Sequence, residues 1–288
     1  MFSLMQFGGF SATAGTATVT PPNTPGLLTW HDFSDVASLT TSGTFVTGAS
    51  DKSTNGFNAT NTETASLNQV PAFAAAVQNN LGALYLPKST FTDGSHTPRL
   101  TVTAALLPTG DQAFSYVGVG RVLNTNTAFS IANLFEVVNA DNSVAPKFSL
   151  LTTDSADSAA WYNAVSGGVT TNTGFSPYQW RIYSARGTTG TQTSRVDGGA
   201  FGVSGTGGTS TATRSSSGTL MTIGNERMTG GGGSLNHCYA FDGYIGEVRT
   251  FNTYLGTDDL YKEEGYLAWK WGLQGNLPGT HPYKNAPP

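Results

Sequence analysis

Charge is scarce in this 288-residue chain. Lys, Arg, Asp and Glu make up 11% of it, against roughly 25% in an ordinary soluble domain. Lys and Arg number 14, Asp and Glu 18, and the formal net charge is −4. Nucleic-acid binding is not expected, because phosphate neutralisation needs a concentrated basic face. The densest basic stretch, Arg181 to Arg195, is scattered and reads as strand and loop residues facing water. Cysteine is nearly absent: Cys238 alone excludes an intrachain disulfide and a zinc site built on thiolate pairs. His237 beside it does not make a nucleophile pair, since strand neighbours point to opposite faces. No apolar run approaches the roughly 18 residues that span a bilayer. The N-terminus has no Lys or Arg ahead of its apolar residues, so a signal peptide is not expected, and synthesis in a cytoplasm is.

What is present is β-forming material. Hydrophobic residues reach 38% and aromatics 11%, enough for a buried core, and there are 36 glycines. Strands are expected at Gly26–Phe33, Thr44–Thr47, Ala83–Leu86 and Leu100–Thr103. Phe114–Val122 is the clearest of them, and Ser130–Val138, Lys147–Thr152, Gln179–Ala185 and Leu220–Gly224 follow. Tyr239–Phe251 ends the series. Gly202–Gly218 and Gly230–Gly233 read as low-complexity loops. One helix is expected, with Thr257 as N-cap, Asp258 and Asp259 in its first turn, and Gly272 as its stop. Many short strands and one helix indicate an all-β, two-sheet antiparallel jelly-roll sandwich. One domain is expected over 26–273. An extended N-terminal arm (1–25) precedes it and a Pro-rich tail (274–288) follows.

Three passages carry a resemblance to a known family. LLTWHDFSD followed by DKSTNGFNAT is similar to an opening strand and Asp/Asn-Gly turn. QWRIYSA followed by SRVDGG is similar to a central hairpin. LMTIGNE with FDGYIGEVRTFNTYLGTDDLYKEEGYLAWKWGL is similar to a closing strand and helix. In this order they resemble the laminin-G-like branch of the concanavalin A-like lectin/glucanase fold, over about Leu27 to Leu273. The end NLPGTHPYKNAPP resembles the ends of such domains in bacteriophage structural proteins and environmental bacterial surface proteins. The resemblance implies the fold and leaves function to the site residues.

Glucanases of this fold carry their carboxylates in a tight spacing on one strand, and no such string exists here. Glu136 has no partner at that spacing. Glu247 and Arg249 share a strand face and are expected to form a structural ion pair. The four histidines stand apart, and no enzymatic activity is expected. Relatives that bind calcium draw attention to Asp51, Ser53 and Asn55, whose alternating oxygens resemble the start of a calcium loop. An Asx-type turn is the preferred reading, because the position before Glu247, often Asp in the family, is Gly246 here. No other cofactor is expected. Glycan binding would use exposed aromatics, for which Trp161 and Tyr162 in a polar loop, and Tyr178 in another, are the candidates. The remaining tryptophans are expected in the core.

Met1 to Pro25 carries no charge and opens with Phe2, Leu4, Met5, Phe7 and Phe10. These are candidate assembly residues, and Pro21, Pro22 and Pro25 read as a spacer leading away from the domain. The expectation is a non-enzymatic virion-surface protein of a bacteriophage, a capsid decoration or a fibre or tail protein. It would dock on other virion proteins, or on itself as a homo-oligomer such as a trimer, and display a lectin-like sandwich toward cell-surface glycans. A free-standing carbohydrate-binding module of a surface or secreted protein is the alternative, and a polysaccharide-degrading enzyme the second.

Overall fold

The computed structural model describes residues 19–61, 70–87, 98–107, 113–124, 131–138, 148–153, 158–163, 168–172, 176, 178–188, 191–204, 218–224 and 241–288. In chain order the strands are β1 (Leu27–Asp32), β2 (Leu39–Ser42), β3 (Phe45–Ala49), β4 (Ala59–Thr60), β5 (Ala72–Gln78) and β6 (Leu81–Leu86). Next come β7 (Leu100–Leu107), β8 (Phe114–Asn124), β9 (Ile131–Val138), β10 (Phe148–Thr153), β11 (Ser158–Asn163) and β12 (Gly168–Asn172). The last are β13 (Arg181–Thr188), β14 (Thr191–Val196), β15 (Val203–Ser204), β16 (Gly218–Ile223) and β17 (Asp242–Phe251), followed by the helix α1 (Thr257–Trp271).

Every pairing is antiparallel. One layer runs β1–β17–β8–β13–β14. The other runs β4–β7–β16–β9–β10–β11–β12–β15. They join along one side through β3, β5 and β6, because β6 pairs with the start of β17. The all-β antiparallel sandwich with one helix near its C-terminal end is therefore the fold. No helix among the described residues is long and apolar enough to cross a membrane.

Two apolar cores follow from strand alternation. Phe114, Tyr116 and Val122 of β8 face the space between the layers, with Tyr183, Ile245 and Val248. Val117 and Val119 point the other way and pack with Ile182 and Phe251 against Leu260, Leu267 and Trp271 of α1. The first layer is thus buried on both faces, by the second layer and by the helix. A register shift in β17 between Ile245 and Glu247 turns both Gly246 and Glu247 toward the helix.

The helix ends as its sequence requires. Gly272 is left-handed at φ 67°, and the Leu273 N–H returns to the Ala268 carbonyl at 2.7 Å. Its start differs by one residue: Gly256, not Thr257, is the N-cap, and no side chain caps it. Hydrophobic docking of Leu260 holds this end without a cap. The carbonyls of Lys270 and Trp271 accept from Asn79 and Gln78 at 2.8 and 2.9 Å. These amides come from the β5–β6 hairpin, whose two-residue turn Asn79-Asn80 has positive φ at both positions.

The segment just past residue 18 lies on its own domain. Val19 packs against the helix-side core, Thr24 is buried, and the Pro22 carbonyl accepts from Arg249 Nη2 at 3.0 Å. The prolines therefore do not lead away from the body over residues 19–25. Extended Pro-rich backbone keeps its carbonyls unpaired, and a buried guanidinium takes one of them. Phe2, Leu4, Met5, Phe7 and Phe10 lie outside the described residues. The stretch after α1 is likewise part of the body: Leu277 and His281 are buried, and Trp269 Nε1 donates to the Tyr283 carbonyl at 2.8 Å.

Gly246 lies directly under the Trp271 ring, where a Cβ would sit 2.5 Å from ring carbons. A carboxylate at this position has no room. Gly246→Ala is expected to destabilise the protein by about 1–3 kcal/mol, the scale of overpacking. Urea unfolding should show the loss, and unchanged stability would mean that Trp271 is not held against β17.

Candidate functional site

The outer face of the first layer is unusually polar, and α1 covers it. Glu247, Glu263 and Glu264 are all fully buried. Glu264 takes a bidentate grip from Arg195, at 2.6 Å on each oxygen, and also accepts from Ser184. Arg195 lies between the rings of Phe201 and Tyr261. Glu263 pairs with Arg249 at 2.8 Å. Glu247 accepts from Lys270 at 2.6 Å, from Trp30 Nε1 at 2.7 Å and from the Tyr266 hydroxyl at 3.1 Å. Lys270 also reaches Asp32 at 2.7 Å, and Lys52 joins Asp32 to Asp35 at 3.3 and 2.6 Å. The expected Glu247–Arg249 pair does not form. Both residues do face the same way, but the helix offers each a partner of opposite charge above the sheet.

Burial pushes the Glu263 carboxyl up to about 7 even with Arg249 beside it. Burial likewise lowers His31 to about 4, the nearby Asp51 and a contact with the Phe57 carbonyl opposing it. These acids hold a helix rather than line a space: each of the three glutamates is enclosed by its partners. Glu136 occupies a register position in β9 between Ser149 and Thr222, and its side chain lies outside the described residues.

The Asp51 loop is a closed turn. Asp51 accepts the N–H groups of Trp30 and Ser53 on one oxygen, and the Ser53 hydroxyl and Phe57 N–H on the other. Asn55 donates its amide to the Leu27 and Leu28 carbonyls. Four donors already occupy the carboxylate, the bonding of an Asx turn. Among the described residues no three His, Cys, Asp or Glu side chains group as metal ligands would.

A different place collects exposed binding groups. Beyond the C-terminal end of α1 lies a groove of about 300 Å³, lined by Gln78, Arg121, Tyr178, Gln179, Trp180, Leu273 and Asn276. That is the small end of ligand-sized sites. Tyr178 is 39% exposed, one of three large apolar side chains so placed among the described residues. Trp180 is nearly buried and stacks between Trp271 (5.5 Å) and Tyr244 (5.9 Å), which continues to Tyr85 at 5.3 Å. Arg121 donates Nε to the Tyr178 carbonyl at 2.9 Å. Asn276 donates to the Trp180 carbonyl, and Gln179 accepts from Arg181, which is itself tied to Asp197. A firm aromatic wall, an exposed ring and several amides therefore converge on one opening.

Of the aromatic candidates, Tyr178 lies at this groove. Trp161 and Tyr162 do not sit in a loop: they are consecutive positions of β11, opposite Leu150 and Ser149. Consecutive positions of a pleated strand belong to opposite faces, and the two positions stand on different faces of β11. Arg121, Gln78 and Asn276 were not marked in the sequence. Arg121 carried a faint signal, as a charged residue on the outward alternation of β8. Gln78 closes an Ala-rich strand with no alternation to betray it.

No protein-family model matches the chain, and no curated protein matches it by sequence. Its fold does match solved structures. Trypanosoma rangeli sialidase superposes with a TM-score of 0.52 at 9% identity, covering 88% of this chain. Only 36% of the sialidase chain is spanned, so this protein corresponds to about a third of that enzyme. Domain 4 of a GH43 extracellular arabinanase from Geobacillus stearothermophilus, in complex with arabinotriose, gives 0.51 at 14% identity, covering 81% of this chain and 96% of that one. A botulinum neurotoxin type C structure, whose title names interaction with two ganglioside molecules, gives 0.50 at 12% identity, with 81% and 50% covered. At such identities the likeness establishes the fold: an all-β sandwich shared with parts of carbohydrate-active and toxin proteins.

His31 supplies a test of the buried electrostatics. It is fully buried and stays neutral in the fold, while the unfolded chain takes a proton below 6.5. Its contribution is full above that pH and is lost as pH falls toward 4. Relative to His31→Gln, the native protein should lose on the order of 3 kcal/mol of unfolding free energy between about pH 7 and pH 4. Urea titrations of both proteins measure it, and parallel pH profiles would contradict a buried neutral histidine.

Proposed function

We propose that the chain is a non-catalytic carbohydrate-binding sandwich. The observation that carries this reading is the groove at Tyr178: an exposed ring, an aromatic wall and amide side chains on the outside of a rigid layer. Such a surface suits a sugar, with one ring face for stacking and hydroxyls for polar partners. The titles of the matching structures name a sialidase, arabinotriose and gangliosides, which favours the same chemistry. The reading is non-catalytic because the buried glutamates are committed to holding α1 and do not flank an open cleft. It includes no metal, in keeping with the saturated Asp51 carboxylate.

A narrower reading sets this domain on a virion surface, with residues 1–18 docking on neighbouring virion proteins. Its support is in the sequence: a charge-free opening rich in Phe, Leu and Met, and an end resembling those of phage structural proteins. Many copies on one particle would turn weak glycan contacts into firm attachment.

Screening the full chain on a glycan array should reveal saccharide binding. Tyr178→Ala should weaken it about tenfold or more, the scale of losing an aromatic anchor, while thermal unfolding stays unchanged. Binding that survives Tyr178→Ala but is lost in Trp161→Ala would move the site to β11. Release of reducing sugar from a bound polysaccharide would overturn the non-catalytic reading. For the virion setting, a chain lacking residues 1–18 should fold normally yet fail to enter particles, and normal incorporation would refute the anchoring role.

A further inference from the structure

We infer that the groove at Tyr178 recognises an acidic sugar, its carboxylate held by Arg121; this rests on the carbohydrate-binding reading and names the class of saccharide. Among the described residues Arg121 is the only charged side chain lining the groove. Nearby charges are already committed: Arg181 to Asp197, Lys270 to Asp32 and Glu247, and Lys284, with all three of its bonds, to the carbonyls of Gln274, Gly275 and Leu277. Arg121 is different. Its Nε donates to the Tyr178 carbonyl, and it has no carboxylate partner among the described residues. The two terminal amino groups of its guanidinium remain, a planar pair of donors that matches the two oxygens of a carboxylate.

Its position is fixed from two sides. Arg121 stands opposite Tyr244 across the β17–β8 pair, and Tyr244 stacks on Trp180. The bond to the Tyr178 carbonyl ties the cation directly to the residue whose ring is exposed. A sugar ring against Tyr178 therefore brings a carboxylate on that ring within reach of Arg121. Gln78, Gln179 and Asn276 supply amides for hydroxyls. On a chain of net charge −4, a lone cation in an otherwise neutral groove sets selectivity: it repays desolvation only to an anion.

Isothermal titration of the full chain with galacturonic-acid and galactose oligomers of equal length, and with 3′-sialyllactose and lactose, tests this. At least one acidic sugar should bind more tightly than its neutral counterpart, with a preference that fades as salt is added. Arg121→Gln should cost about tenfold to a hundredfold in acidic-sugar affinity, the scale of a charge-assisted hydrogen bond, and cost neutral-sugar affinity clearly less, so that the preference for the acidic sugar is lost. Arg121→Lys, which keeps the charge without the planar fork, should recover only part of the loss. A melting temperature unchanged in both variants separates lost recognition from lost folding. Equal affinity for acidic and neutral sugars, or acidic binding indifferent to Arg121→Gln, overturns the carboxylate subsite while the carbohydrate reading stands. No binding of any of the sugars, on the array or in solution, overturns both.

Discussion

The ionic seam between α1 and the first layer is the constraint on which the rest of the structure depends. Three glutamates without solvent contact are held by Arg195, Arg249 and Lys270 and by hydroxyl and indole donors. Such pairs are weak evidence of net stability, since desolvation consumes most of the Coulombic gain. Their effect is on specificity. Removing one partner strands a buried charge, at a cost of about 3–5 kcal/mol, so any sliding or rotation of the helix that unpairs them is penalised in the same way. An apolar interface of equal area would tolerate several registers. This one tolerates the register in which each charge meets its partner.

From that register the neighbouring features follow. Trp271 comes to rest over Gly246, where a Cβ would collide with the ring. Trp180 stacks on Trp271, and Tyr244 on Trp180. The helix C-terminus meets the β5–β6 hairpin, whose amides close its last carbonyls. The candidate groove is the space left where these parts converge. Its lining comes from β5, from β8, from the approach to β13 and from the turn after α1, four stretches that only the seated helix brings together. The shape of the groove and the docking of the helix are therefore one design.

Much of this was legible residue by residue. FSYVGVGRV announced β8 because its alternation survives burial on both faces: Phe114, Tyr116 and Val122 toward one core, Val117 and Val119 toward the other. Gly272 stopped the helix because only a residue without Cβ takes left-handed backbone cheaply. Tyr178, in a polar loop of the sequence, was marked as an exposed aromatic and is exposed. The failures have equally definite causes. Trp161 and Tyr162 looked like loop residues because Ser, Asp, Asn and Gly surround them, yet the backbone pairs on both sides of β11. Ala72–Gln78 lacked alternation and went unread. Glu247 and Arg249 were paired with each other because two residues along a strand is the only separation a strand pattern considers.

Composition and periodicity by themselves determined an antiparallel all-β sandwich, one closing helix, and the places where backbone must turn. Those are local properties, set by steric preference and by side chains two or four positions apart. Only the tertiary structure decided which charges neutralise one another and which aromatic ring stands at an opening. Arg195 and Glu264 are 69 residues apart, and Arg121 reaches Tyr178 from another strand. Desolvation makes each buried charge take whatever partner the folded chain brings within reach, and no pattern of neighbours along the sequence encodes that choice.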